Sequence, residues 1–145
     1  MHDSMQPQME KEKGALVGES SLKMVSTTVR EMTPLGIKLE INQQGQFAGA
    51  KYNAIEFGTN SVYLKMDGTM EWEVKIVQTT PEGEIVVESG RGTGKNLGGG
   101  KVRAEGEALM MSQSPKLAAV NNSKLWAEAE ADLMTGEVHV KLYGM

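Results

Sequence analysis

The chain has 145 residues, no cysteine, a net charge of -4 and only 23% charged residues. That length makes one domain, able to bury roughly 70% of its unfolded surface without covalent staples. The missing cysteines exclude disulfides, thiolate metal sites and a cysteine nucleophile, and the mildly acidic balance disfavours nucleic acid as a partner.

Residues 1–18 are polar, rich in methionine and aperiodic, which predicts a flexible tail ahead of a domain over 19–145. The start, Met1-His2-Asp3-Ser4-Met5-Gln6-Pro7-Gln8, has neither the basic nor the apolar stretch of a secretory signal. No apolar run approaches the ~20 residues that span a bilayer. A cytoplasmic protein without membrane contact is expected.

From Ser21 onward, strand-length segments follow one another almost without interruption. A β-branched run with Val25, Thr27, Thr28 and Val29 ends at Thr33-Pro34-Leu35-Gly36. Ile37 to Gln43 puts Ile37, Leu39 and Ile41 on one face, and Gln44-Gly45 reads as a turn. Phe47 to Phe57 forms a third strand, and Gly58-Thr59-Asn60 turns again into Ser61 to Lys65. Asp67-Gly68 then marks a tight hairpin, because both central positions tolerate positive φ. Thr69 to Ile76 alternates most cleanly: Met70, Trp72, Val74 and Ile76 share one face, and Glu71, Glu73 and Lys75 the other. Thr80-Pro81-Glu82-Gly83 closes the next hairpin before Ile85-Val86-Val87.

Glycines dominate from Gly90 to Gly100, which reads as a mobile loop able to gate one end of the fold. Alternation resumes over Val102–Met111. Ser114 as N-cap and Pro115 at the first position predict one short helical turn near 114–120. Leu125–Leu133 and Glu137–Tyr143 form the last pair. No long helix is available for parallel crossovers, so the fold class is all-β: a single antiparallel up-and-down β-barrel of about eight or nine strands.

Few residues form recognisable chemistry. Gly90–Gly100 lacks the spacing and the following helix of a phosphate-binding loop, yet Arg91, Lys95, Lys101 and Arg103 gather cations there, making it the place to expect an acidic ligand group. Ala104, Gly106, Ala108, Ala127, Ala129 and Ala131 recur at period two. Facing inward, they leave volume that Trp72, Phe47 and Phe57 fill or that a small ligand occupies. Glu71 and Glu73, like Glu128, Glu130 and Asp132, read as solvated charge ladders more than acid–base pairs. Glu40 and Glu56 are weaker cases of the same kind. His139 stands without a second metal-ligand partner, no serine-nucleophile motif occurs, and neither a metal nor a cofactor is expected.

Gly45-Gln46-Phe47-Ala48-Gly49, Asp67-Gly68-Thr69-Met70-Glu71-Trp72-Glu73, Ser89-Gly90-Arg91-Gly92-Thr93-Gly94 and Ser114-Pro115-Lys116-Leu117-Ala118 resemble stretches of small, functionally uncharacterised prokaryotic β-barrel proteins. These are usually placed near the allene-oxide-cyclase-like and lipocalin-like (calycin) barrels. The resemblance spans roughly residues 35–143 and implies a small interior cavity in an often oligomeric protein. It carries no catalytic residue over.

Three functional classes follow. The leading one is a barrel that binds a small, partly apolar molecule inside, with Trp72, Phe47, Phe57, Arg91, Lys95 and Arg103 as ligand-binding residues. The second is a cyclase- or isomerase-type enzyme, which requires an inward-pointing Glu, His139 or Tyr52 with a perturbed pKa. The third is a homo-oligomeric interaction module, suggested by apolar residues on both faces at Met110-Met111.

Overall fold

A computed structural model describes residues 13–145, so most of the expected tail lies outside the described residues. Eight antiparallel strands, each paired with the next in sequence, close into an up-and-down barrel. They are β1 (Leu16–Thr33), β2 (Gly36–Gly49), β3 (Asn53–Lys65), β4 (Thr69–Thr79), β5 (Ile85–Gly98), β6 (Lys101–Ser112), β7 (Ser123–Asp132) and β8 (Glu137–Gly144). The barrel begins slightly earlier than the expected boundary, since residues 16–18 are already strand.

Eight strands replace the nine segments of the sequence reading because two glycine signals are not turns. Gln44-Gly45 and Gly58-Thr59-Asn60 lie within β2 and β3. A Cβ on Gly45 would stand 1.9 Å from the Ser21 carbonyl oxygen, and one on Gly58 2.4 Å from that of Lys75. Those glycines serve close approach between strands, not chain reversal. The Asp67-Gly68 and Thr80–Gly83 reversals are where the sequence places them, with Gly68 and Gly83 at φ of +89° and +87°.

The glycine-rich segment is likewise strand. Gly90 to Gly98 forms the second half of β5, and only Gly99-Gly100 reverses the chain. The expectation of a gating loop over 90–101 is therefore corrected. Gly90, Gly92 and Gly94 share the inward face with Val86 and Glu88, and Gly92 pairs directly with Gly106 of β6. Trp72 lies opposite Gly92 in register, and Gly106 lies opposite Ala127. One indole thus faces a row of two glycines and an alanine. The Trp72 indole nitrogen donates to the Thr93 carbonyl at 3.1 Å, so the polar edge of a buried side chain is satisfied.

The helical turn expected near 114–120 is a 3₁₀ segment, Pro115–Val120, which turns Leu117 and Val120 into the core. Ser114 is its N-cap and Pro115 its first residue, as expected, but the Ser114 hydroxyl donates to the Glu84 carboxylate and makes no side-chain cap bond.

The seam is made by β1 and β8, which pair from Leu16–Tyr143 to Lys23–Glu137. Beyond Lys23, β1 continues as a hairpin with β2, interrupted by two bulges, and among the described residues no strand lies on its other side.

Candidate functional site

The interior changes character along the barrel. Over much of its length it is apolar, lined by Met24, Leu39, Ile41, Val62, Trp72 and the alanines of β6 and β7. Towards the β2–β3 and β4–β5 turns the inward positions become polar. Ser20 (β1), Gln43 (β2), Glu56 (β3), Gln78 (β4) and Glu88 (β5) are all buried.

Registry brings these groups together. Glu56 lies directly opposite Gln78, and Glu88 occupies the inward position two residues from Val86, the partner of Gln78. The Gln78 amide donates to Glu56 Oε2 at 2.9 Å, and the Tyr52 hydroxyl donates to Gln78 Oε1 at 2.5 Å. Ser20 adds a hydrogen bond to the Glu56 carboxyl. Among the described residues, three buried side-chain oxygens have no partner: Glu56 Oε1, Asn60 Oδ1 and Glu88 Oε1.

Burial dominates the electrostatics. It raises the Glu56 carboxyl, a shift that the hydrogen bonds from Ser20 and Gln78 partly oppose. It pushes Glu88 up to about 8, with the proximity of Glu56 adding to the effect. The Tyr52 hydroxyl is raised for the same reasons: burial first, then Glu88 and Glu56. At neutral pH the Glu88 carboxyl is mainly protonated inside the barrel, able to give or take a proton within the physiological range.

Between this network and the apolar wall lies a cavity of about 90 Å³. Glu88, Gln43 and Asn60 line its polar part, and Ala104, Ala108, Ala127, Ala129 and Val140 part of its apolar wall. That volume holds about three waters, well below the ~300 Å³ or more of a drug-sized pocket. Most of the volume that the small residues leave is thus filled, by Trp72 among others.

The residues singled out in the sequence divide into two sets. Trp72 lines the cavity, and Phe47 is buried against Tyr52, ring centroids 5.2 Å apart. Phe57 does not fill the interior: it is 56% exposed on the outer wall, because Glu56 takes the inward position beside it. Arg91, Lys95 and Arg103 also lie on the outer, exposed faces of β5 and β6, away from the cavity. Arg91 stands in register between Glu73 and Glu107, and Arg103 opposite Glu130. With Lys65–Glu71 at 2.6 Å and Lys101–Asp132 at 2.8 Å, these form the charge ladders expected of the carboxylate runs. His139 is exposed and contacts Glu19 at 3.0 Å. Among the described residues, no group of three or more His, Cys, Asp or Glu side chains could hold a metal.

Sequence reasoning missed Glu88 and gave Glu56 little weight because the hydrophobic pattern locally inverts. Ile55 and Phe57 face solvent while Glu56 faces inward, and Ile85 and Val87 face out while Glu88 faces in. The available signal was parity counted from the Trp72 strand, carried across the tight Thr80–Gly83 hairpin.

No protein-family model matches the chain, and no curated protein matches its sequence. Solved structures do match. A protein of unknown function from Clostridium acetobutylicum superposes with a TM-score of 0.78 at 15% identity, over 90% of this chain and 97% of that one. A beta-barrel like protein from Acinetobacter baumannii gives 0.72 at 14% identity, over 90% and 93%. An enzyme from Penicillium herquei gives 0.65 at 15% identity, over 88% and 91%. Identities this low establish the shared barrel fold alone. The structural neighbours include small bacterial β-barrel proteins of unknown function, the grouping that the sequence resemblance names.

Proposed function

We propose that the barrel binds a small, partly apolar molecule in its interior. The observation that carries this reading is Glu88 Oε1, buried without a hydrogen-bond partner on a carboxyl that lines an otherwise largely apolar cavity. An unmet buried acceptor costs ~1–3 kcal/mol, and a ligand donor or an ordered water offsets that cost. The volume limits the organic ligand to a few heavy atoms, so a lipocalin-sized lipid does not fit. Among the described residues, no helix is long and apolar enough to cross a membrane. The test is titration with 1-propanol and, separately, with n-propylammonium chloride, followed by the methyl resonances of Ala104, Ala108 and Ala129. Saturable shifts with either probe that disappear in Ala108→Met support interior binding; methyl resonances unmoved by both overturn it.

A second reading, proton-transfer catalysis of cyclase or isomerase type, is favoured by one specific observation: an inward Glu88 that titrates near neutrality beside Glu56. That one structural neighbour is an enzyme is in keeping with it. Loss of turnover in Glu88→Gln with binding retained is its expected signature.

The expected homo-oligomer has its support on the outer wall. Phe57, Val77, Val87 and Met111 stand opposite one another in register across four adjacent strands, flanked by exposed Ile55 and Ile85. A contiguous apolar row of this kind is the surface that a second copy would cover.

A further inference from the structure

Two buried oxygens in the polar part of the cavity find no donor in the protein. Glu88 is only 6% exposed, and its Oε1 and Asn60 Oδ1 both lack partners. The cavity lining contains no Lys, Arg or His, and its remaining polar member is the Gln43 amide. The titratable groups acting on Glu88 are Glu56 on β3 and Tyr52 before it, and neither brings a positive charge. A ligand that supplies only acceptors, such as a ketone, could take the single O–H of a protonated Glu88 and would still leave the Asn60 oxygen without a donor. A hydrocarbon would leave both oxygens unpaired.

We infer that the ligand is a small primary amine, bound as its ammonium ion, with Glu88 Oε1 as its ion-pair partner and Asn60 Oδ1 as a second acceptor. Its short alkyl chain lies among Ala104, Ala108 and Val140. This rests on the reading of the cavity as a ligand site and names the chemical class that the site takes. An ammonium group carries three N–H donors on a compact head, more than the two orphaned acceptors require. A chain of about three carbons matches a space of about three waters.

The step is a proton exchange that balances. The ammonium enters with its charge, the Glu88 carboxylic acid gives its proton to solvent, and the bound state is an ammonium–carboxylate pair. Above the pH at which Glu88 ionises unaided, that proton release vanishes.

The experiment is isothermal titration calorimetry of the full chain with n-propylammonium chloride and, separately, 1-propanol. Both are measured at pH 7.0 in phosphate and in HEPES, whose different ionisation heats report proton release and neither of which is a primary amine. The expected result is binding of n-propylammonium at least about tenfold tighter than 1-propanol, with release of about one proton. In Glu88→Gln both the preference and the proton release disappear. Ala108→Met, which blocks the alkyl wall and leaves Glu88 in place, abolishes binding and serves where Glu88→Gln does not fold. Equal or tighter binding of 1-propanol, or tight ammonium binding without proton release, overturns the amine inference and leaves interior binding standing. Binding of neither probe overturns both.

Discussion

At the scale of single residues, Glu88 makes stability depend on pH in an unusual direction. Its folded-state pKa is about 8, above the ordinary carboxylate value that it recovers on unfolding. Between those values the unfolded chain releases a proton that the folded chain retains, so stability falls as pH rises from about 4.5 to 8 and then levels. Glu88→Gln is expected to remove most of this slope, leaving the variant more stable than the parent by about 5 kcal/mol at pH 9 and little changed at pH 4.5. Urea denaturation at the two pH values reads the difference; parallel parent and variant profiles would refute it. Tyr52→Phe tests the other end of the network. It leaves Gln78 Oε1 without its hydroxyl donor and is expected to cost ~1–2 kcal/mol, measured by the same denaturation.

Among the elements, the β5–β6 ribbon is where glycine faces glycine at close approach. A Cβ on Gly92 would lie 2.0 Å from the Glu105 carbonyl oxygen, and one on Gly106 2.1 Å from that of Arg91. The obstructing atoms are backbone in an interior ladder, so they cannot swing aside as a side-chain end would. Gly106→Ala is expected to destabilise by ~3 kcal/mol or more, read as a lowered urea midpoint. A loss below ~1 kcal/mol would show that the ribbon yields. This ribbon also shows where sequence reasoning ended. The alternation of Met70, Trp72, Val74 and Ile76 revealed β4 because a large inner face opposes a charged outer one. In β5 the inner face is Val86, Glu88 and three glycines, without an apolar period to detect. Glycine required for close approach and glycine required for a turn look the same in a single sequence. Glu56 and Glu88 were obscured differently: their strand neighbours are apolar residues on the outer wall, which reverses the apparent inside and outside.

For the whole molecule, the up-and-down order was legible in the short turn signals between alternating strands, whereas closure was preferred over a sandwich only because it removes exposed edges. The outer apolar row was not, since it exists only once four registers are known. If it packs against a second copy, Phe57→Lys combined with Met111→Lys should lower the mass in sedimentation velocity to that of one chain, 15.7 kDa. A parent protein that already sediments at that mass would remove the proposal. The β1–β8 seam bears on how the molecule is made. Ser21 and His139, whose side chains meet across it at 3.4 Å, lie 118 residues apart. During synthesis β1 therefore emerges long before the strand that completes the cylinder, and every strand added meanwhile leaves an open sheet with two unpaired margins. Closure is a late, long-range event, and for this chain the interval on the ribosome is when accidental pairing with a neighbouring nascent copy is most costly.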